Sequence, residues 1–211
     1  MHWYFDFVSP YAYLQLEKHF DWLSAQRPTV KPILFAALLD HWGQRGPGEI
    51  APKRVFTYRQ TQWIADRDGI PFRYPAKHPF NPLRFLRLAV ALDNDLAAIR
   101  TIFRALWRDG ADADSPALWS ALASRLEVDN ADALISAQPV KDELRRNTDA
   151  AIAAEIFGVP SLVVDGKTFW GYDATAMAMD EVRKPGSFAT AEMRRLETLP
   201  VGASRAAKQG G

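Results

Sequence analysis

Trp3-Tyr4-Phe5-Asp6-Phe7-Val8-Ser9-Pro10-Tyr11-Ala12-Tyr13-Leu14 is the stretch on which the fold turns. Trp3 to Val8 is aromatic and β-branched, the composition of a buried strand. Ser9-Pro10 then opens a helix, with Ser in the N-cap position and Pro at the first helical position. Tyr13, Leu16, Phe20 and Leu23 follow at steps of three and four and form one helical face. Pro28 interrupts, and Val30 to Phe35 reads as a second strand. Strand, helix and strand in that order predict a parallel βαβ unit.

Working outward, Trp42 to Pro52 is rich in Gly and Pro and reads as a loop. From Lys53 to Ala137 the pattern is helical. One helix is expected over Lys53 to Asp68, and the prolines between Pro71 and Pro79 break it. Asn81-Pro82 opens another helix, running to Leu92. Asp95 to Arg108, Ser115 to Leu126 and Asn130 to Ala137 complete the block. Val140 to Phe157 is expected to be helical, with Gly158 as its C-cap. Ser161 to Val164 and Lys167 to Trp170 flank Asp165-Gly166, a two-residue hairpin signal. Ala174 to Val182 reads as a closing helix. Lys184 to Gly211 is polar and expected to be ordered at most in part. The order βαβ, helical block, αββα is that of an α/β protein whose sheet is interrupted by an all-helical insertion. The expected division is a sheet domain over 1–48 and 138–184, an inserted helical subdomain over 49–137, and a tail over 185–211.

Composition narrows the function. Of 211 residues, 26 are basic and 25 acidic, so the net charge of +1 suggests neither a nucleic-acid nor a membrane surface. Arg84, Arg87, Arg100, Arg104 and Arg108 gather locally but are interleaved with aspartates, and read as solvated helix faces. The amino terminus shows no basic segment followed by a long apolar run, so a cytoplasmic location is expected. The chain has no cysteine. A cysteine nucleophile, a disulfide and a thiolate metal site are therefore excluded. The histidines at 2, 19, 41 and 78 form no paired motif, and no metal site is expected.

Three separated segments carry chemistry. Ser9 sits where a strand meets a helix N-terminus, whose unpaired N–H groups stabilise an anion, a thiolate among them. Its hydroxyl can donate one more hydrogen bond to such an anion, or Ser9 can be an N-cap worth about 1 kcal/mol. In Gly158-Val159-Pro160-Ser161, a proline at the head of a strand can hold a cis bond that presents the backbone of Val159, or can be an ordinary trans turn proline. In Phe169-Trp170-Gly171-Tyr172-Asp173-Ala174, Asp173 can cap the following helix or bind a ligand's amino group. Tyr11, Trp42, Phe56 and Phe80 can wall a flat apolar pocket or belong to the core.

Taken in order with Ala51-Pro52-Lys53-Arg54 and Phe80-Asn81-Pro82-Leu83, these segments resemble the 2-hydroxychromene-2-carboxylate isomerase and kappa-class glutathione transferase family. That family is the serine-bearing branch of the DsbA-like thioredoxin proteins, and the likeness spans residues 2–183. It implies a thioredoxin-like sheet with a helical insertion, glutathione as cofactor, a small aromatic substrate and a homodimer. It implies that Ser9 holds the glutathione thiolate and that Val159, before a cis Pro160, pairs with the cysteinyl part. Asp173, with Tyr172 beside it, would meet the γ-glutamyl end, Lys53 the glycyl carboxylate, and Asn81 the second substrate. The chain departs from the family at Gly46-Pro47-Gly48-Glu49, where many relatives carry an Asn- and Pro-rich stretch.

The isomerase chemistry so implied is thiolate addition to a conjugated enone carbon, rotation about the resulting single bond, and thiolate expulsion. Kappa-type conjugation of electrophiles shares the same thiolate and differs in the fate of the adduct. A non-catalytic thioredoxin-like binding module is the reading from another class.

Overall fold

The computed structural model describes residues 1–203. Its sheet has four strands in the order β2-β1-β3-β4. Strand β1 (His2–Phe5) pairs in parallel with β2 (Thr29–Pro32), Trp3 opposite Val30. It pairs antiparallel with β3 (Ser161–Val164), Trp3 opposite Leu162, and β3 pairs antiparallel with β4 (Lys167–Trp170). Helix α1 (Pro10–Gln26) makes the crossover between β1 and β2, as a parallel pair requires.

Between the two halves of the sheet run α2 (Phe35–His41), α3 (Ala51–Asp68), α4 (Leu83–Ala91) and α5 (Leu96–Trp107). Helices α6 (Pro116–Arg125), α7 (Ala131–Ser136) and α8 (Gln138–Ala153) follow. After the β3–β4 hairpin come α9 (Thr175–Arg183) and α10 (Ala191–Glu197). Among the described residues, no helix is long and apolar enough to cross a membrane.

Alternation along β1 covers both faces of the sheet. Trp3 and Phe5 point to one side, where they join Phe7, Tyr13, Leu16, Phe103 and Trp107 in the main core. Tyr4 points to the other, against Ile33, Leu38, Ala151, Ile156 and Val159. Helices α1 and α5 are further fastened by Glu17, whose carboxylate accepts from Arg100 at 2.9 and 3.1 Å and from Arg104 at 2.7 and 2.8 Å. The β3–β4 turn has Asp165 and Gly166 both at positive φ, 47° and 77°, the requirement of a type I′ hairpin.

Several sequence expectations are corrected. The first strand ends at Phe5 rather than Val8, because residues 6–9 form a turn closed by Ser9 N–H to the Asp6 carbonyl at 3.1 Å. The second strand ends at Pro32, and Phe35 begins α2. Helix α8 stops at Ala153, and Gly158 is not its cap. Glu155 at φ 56° ends the helix instead, with Ile156 N–H on the Ala151 carbonyl and Glu155 N–H on the Ile152 carbonyl. Gly158 is required for another reason: a Cβ there would stand 2.3 Å from Nε1 of Trp170, which lies over it. Arg100 and Arg104 are ion-pair partners rather than a solvated face, and Arg84 stacks over the Phe85 and Trp119 rings at 4.9 and 5.0 Å. The tail expectation is not overturned: it contains α10, and residues 204–211 lie outside the described residues.

Candidate active site

The corner between β1 and α1 presents Ser9, which is only 7% exposed. Its Oγ accepts from the Ala12 N–H at 3.3 Å and donates to the Val159 carbonyl at 3.4 Å. Ser9 is thus an N-cap and also reaches across 150 residues of sequence to the loop before β3. The Val159–Pro160 bond is cis. The carbonyl of Pro160 accepts from the Gly171 N–H at 2.8 Å, which ties the segment after β4 to the same place.

Gln15 fixes that segment from below. It is fully buried, accepts from the Trp3 indole at 2.7 Å, and donates to Thr175 Oγ1 at 2.8 Å and to the Gly171 carbonyl at 3.4 Å. Asp173 is exposed, and α9 is capped by Ala174 with no side-chain bond, so Asp173 does not cap that helix. Tyr11 stands on the first turn of α1, with its hydroxyl donating to Gln60 of α3 at 2.6 Å. Burial raises the Tyr11 pKa, the neighbouring Thr57 hydroxyl opposes the rise, and the charge of Asp173 adds to it. Asp173 is therefore within electrostatic reach of Tyr11. Ser9 and Val159, from distant segments, thus meet at this corner, with Pro160 next to Val159 and Tyr11 two residues after Ser9.

The remaining sequence candidates divide. Lys53 is exposed, one helical turn before Thr57 and hence on the face of α3 that meets Tyr11. Phe56 is 62% exposed beside it. Trp42 is exposed, and its indole donates to the Ile156 carbonyl at 2.9 Å, three residues before Val159. Asn81 is exposed, and its Oδ1 accepts from Leu83 N–H at 3.0 Å at the opening of α4. No hydrogen bond among the described residues joins these four to Ser9. Phe80 belongs to the core, packed against Phe85 and Trp107 rather than walling a pocket. The Tyr172 hydroxyl is held by Asp68 at the end of α3, whose carboxylate also pairs with Lys18 at 2.8 Å and Arg67 at 2.7 Å. The hydrogen bond from Arg67, with Lys18 and Tyr172 adding to it, holds Asp68 well below the usual carboxylate range. Tyr172 is thus a fastening between the sheet and α3.

Three contributors escaped the sequence reading. Thr57 and Gln60 sit in an ordinary amphipathic pattern, and only the approach of Tyr11 distinguishes them. Asp6 carried a signal, a lone carboxylate between Phe5 and Phe7 in an apolar run. It is fully buried, accepting from Val8 N–H at 3.0 Å and Phe35 N–H at 2.9 Å. Burial pushes its pKa up to about 7 against the pull of those N–H groups.

A sheet in the order β2-β1-β3-β4, a helical insertion and a cis proline facing the first helix form one recognisable arrangement, and residues 2–183 match the DsbA-like thioredoxin domain. The chain belongs to the DsbA-like thioredoxin family. This DsbA-like chain is 28% identical to glutathione S-transferase kappa 2 of Caenorhabditis elegans over 206 residues, 86% of this chain and 91% of that protein. It is 25% identical to 2-hydroxychromene-2-carboxylate isomerase of Pseudomonas putida over 181 residues, 82% and 89% of the two chains. A solved 2-hydroxychromene-2-carboxylate isomerase superposes with a TM-score of 0.71 at 23% identity, covering 90% of this chain and 98% of that one. A probable DsbA oxidoreductase from Streptomyces coelicolor gives 0.61 at 16% identity, covering 88% and 89%. Both superpositions bear on the fold.

Proposed function

We propose that this chain is a glutathione-dependent cis–trans isomerase acting on an aromatic catabolite of the 2-hydroxychromene-2-carboxylate kind. The observation that carries the reading is the meeting of Ser9 Oγ with the Val159 carbonyl, beside cis Pro160, at a helix N-terminus in a chain with no cysteine of its own. The residues present fit glutathione. Among the described residues, the backbone N–H groups of Tyr11 and Val159 have no protein partner, and both flank Ser9. The Ser9–Val159 bond of 3.4 Å is long, so the hydroxyl proton is easily redirected to a thiolate.

Glutathione, when bound, supplies the sulfur nucleophile that the chain lacks. Ser9 donates its hydroxyl hydrogen to that sulfur and, with the start of α1, lowers the free energy of its anionic form. Val159 offers its free N–H to an extended peptide ligand. Asp173, carried by the Tyr172 segment, meets an α-ammonium group, and Lys53 approaches a carboxylate from α3. Tyr11, Trp42, Phe56 and Asn81 border the place of the aromatic substrate. The same reading retains the cytoplasmic setting and the homodimer that the family likeness implies.

Kappa-type transfer is the second reading, supported by the likeness to the kappa 2 transferase. One absorbance assay with the chromene carboxylate separates them, run with and without glutathione on the wild type and on Ser9→Ala. Isomerisation that needs glutathione, consumes no thiol and slows in Ser9→Ala, with a raised pKa for the bound thiol, is the expected result. Net loss of thiol selects the transferase. Isomerisation as fast without glutathione would sink the proposal.

A further inference from the structure

The corner that presents Ser9 contains two peptide groups, and both are held at both ends. In the Phe7–Val8 peptide, the carbonyl accepts from Trp107 Nε1 at 2.8 Å and the N–H donates to Asp6 Oδ1 at 3.0 Å. In the Val8–Ser9 peptide, the N–H donates to the Asp6 carbonyl at 3.1 Å and the carbonyl faces His78 Nε2 at 2.9 Å. Trp107 ends α5, and His78 lies between α3 and α4. Both carbonyls are therefore held by side chains from the helical stretch, not from the sheet that carries Ser9.

We propose that His78 is a positioning residue for Ser9, holding from the helical insertion the peptide that ends at Ser9. Rotation of that peptide would swing Oγ away from the start of α1 and from Val159, so its carbonyl is the lever through which the serine is aimed. His78 is itself well fixed. The Tyr58 hydroxyl is 3.0 Å from Nδ1 and 2.9 Å from the His78 carbonyl, and the ring lies edge-on to Trp107 at 5.3 Å and Tyr74 at 5.5 Å. A carbonyl only accepts, so Nε2 carries the hydrogen. Burial, helped by the charge of Arg54 and opposed by the Val8 carbonyl, lowers the His78 pKa and favours the neutral ring, with the single Tyr58 hydroxyl hydrogen shared between the His78 carbonyl and Nδ1. His78 thus acts by geometry rather than by charge.

The inference rests on Ser9 being the working residue, and its test is arranged to stand apart from the glutathione reading. His78→Phe keeps an aromatic ring among Trp107 and Tyr74 but removes the donor, and His78→Gln restores a donor of similar reach. Without ligand, amide exchange at Ser9 in His78→Phe should rise about fivefold relative to the core amide of Leu162, and fall back in His78→Gln. In the glutathione assay, kcat of His78→Phe should drop about 10- to 100-fold with KM for glutathione little changed, again recovered by Gln. Unchanged Ser9 exchange in a folded His78→Phe, or Gln no better than Phe, would overturn the assignment. Should His78→Phe not fold, the wild type decides: its 15N imidazole shifts must show hydrogen on Nε2, and an Nδ1–H tautomer overturns the proposal. A wild type without glutathione-dependent activity sinks the functional reading alone, since exchange and tautomer still decide the role of His78.

Discussion

At the scale of single residues, the corner that presents Ser9 is braced by a buried carboxylate outside the proposed chemistry. Asp6 accepts two backbone N–H bonds from full burial, and one of them comes from Val8, next to Ser9. Its pKa rises from 3.8 to about 7, chiefly through burial. Between those two values the folded protein keeps a proton that the unfolded chain has already released. The unfolded state then binds fewer protons, so Asp6 makes stability fall as pH rises from about 4 to about 7, with no further change above that. Asp6→Asn has no such group, and loses at all pH values one of the two acceptor bonds. Urea unfolding of both proteins at about pH 5 and about pH 8 should therefore show wild type losing on the order of 2 to 3 kcal/mol relative to Asp6→Asn over that interval, at about 1.4 kcal/mol per unit. A gap that does not move with pH would refute a buried, proton-holding Asp6.

At the scale of elements, local signals were readable where the chain decides its own conformation. Ser9-Pro10 starts α1 because the side chain and the proline ring act within one turn, and Asp165-Gly166 makes its hairpin for the same reason. Helix α2 was not readable: Leu34 caps it without a side-chain bond, and Phe35 to Leu39 continues an apolar run begun in β2. The end of α8 was misplaced because Glu155 takes a left-handed turn usually left to Gly, while Gly158 answers to Trp170. The meeting of Ser9 and Val159 follows motifs legible in the sequence, and Asp173 enters the proposal through its motif alone, whereas Asp6, Gln60 and His78 act through contacts that no local pattern encodes. The Glu17 clamp between α1 and α5 is of this second kind. Burial pushes the Glu17 carboxyl up, but the hydrogen bonds of Arg104 and Arg100 outweigh it and hold the pKa below the ordinary value. The Glu17 side chain is 8% exposed, against 25% and 35% for its two arginines, so the pair is only partly screened. Glu17→Ala should cost about 1 to 3 kcal/mol in urea unfolding at neutral pH, because two cations then lose the acceptor they share. Asp114→Ala is the internal control: its bridge to Lys77 has both partners more than 60% exposed, and its loss should cost far less than that of Glu17. Equal losses in the two variants would show that the clamp contributes no more than a surface pair.

At the scale of the whole molecule, the proposed glutathione site is made by neither part alone. Ser9, Val159 and Asp173 belong to the sheet and its turns, whereas Lys53 and the Thr57–Gln60 edge that meets Tyr11 belong to α3. Helix α3 is itself fastened to the sheet side by Tyr172 and Lys18 on Asp68, beyond the far end of that edge. A ligand bridging Ser9 and Lys53 would add a second fastening at the near end and would be lost on unfolding. Stability should then rise with the logarithm of free glutathione above Kd, by about 1.4 kcal/mol for each tenfold increase. For a chain of 211 residues that corresponds to roughly 3 to 5 °C in Tm per decade. Differential scanning fluorimetry across micromolar to millimolar glutathione measures the slope, with Lys53→Ala displacing the curve to higher concentration but leaving its slope unchanged. A flat Tm through millimolar glutathione would remove glutathione from the account of this fold, and a normal curve in Lys53→Ala would remove only the part assigned to α3.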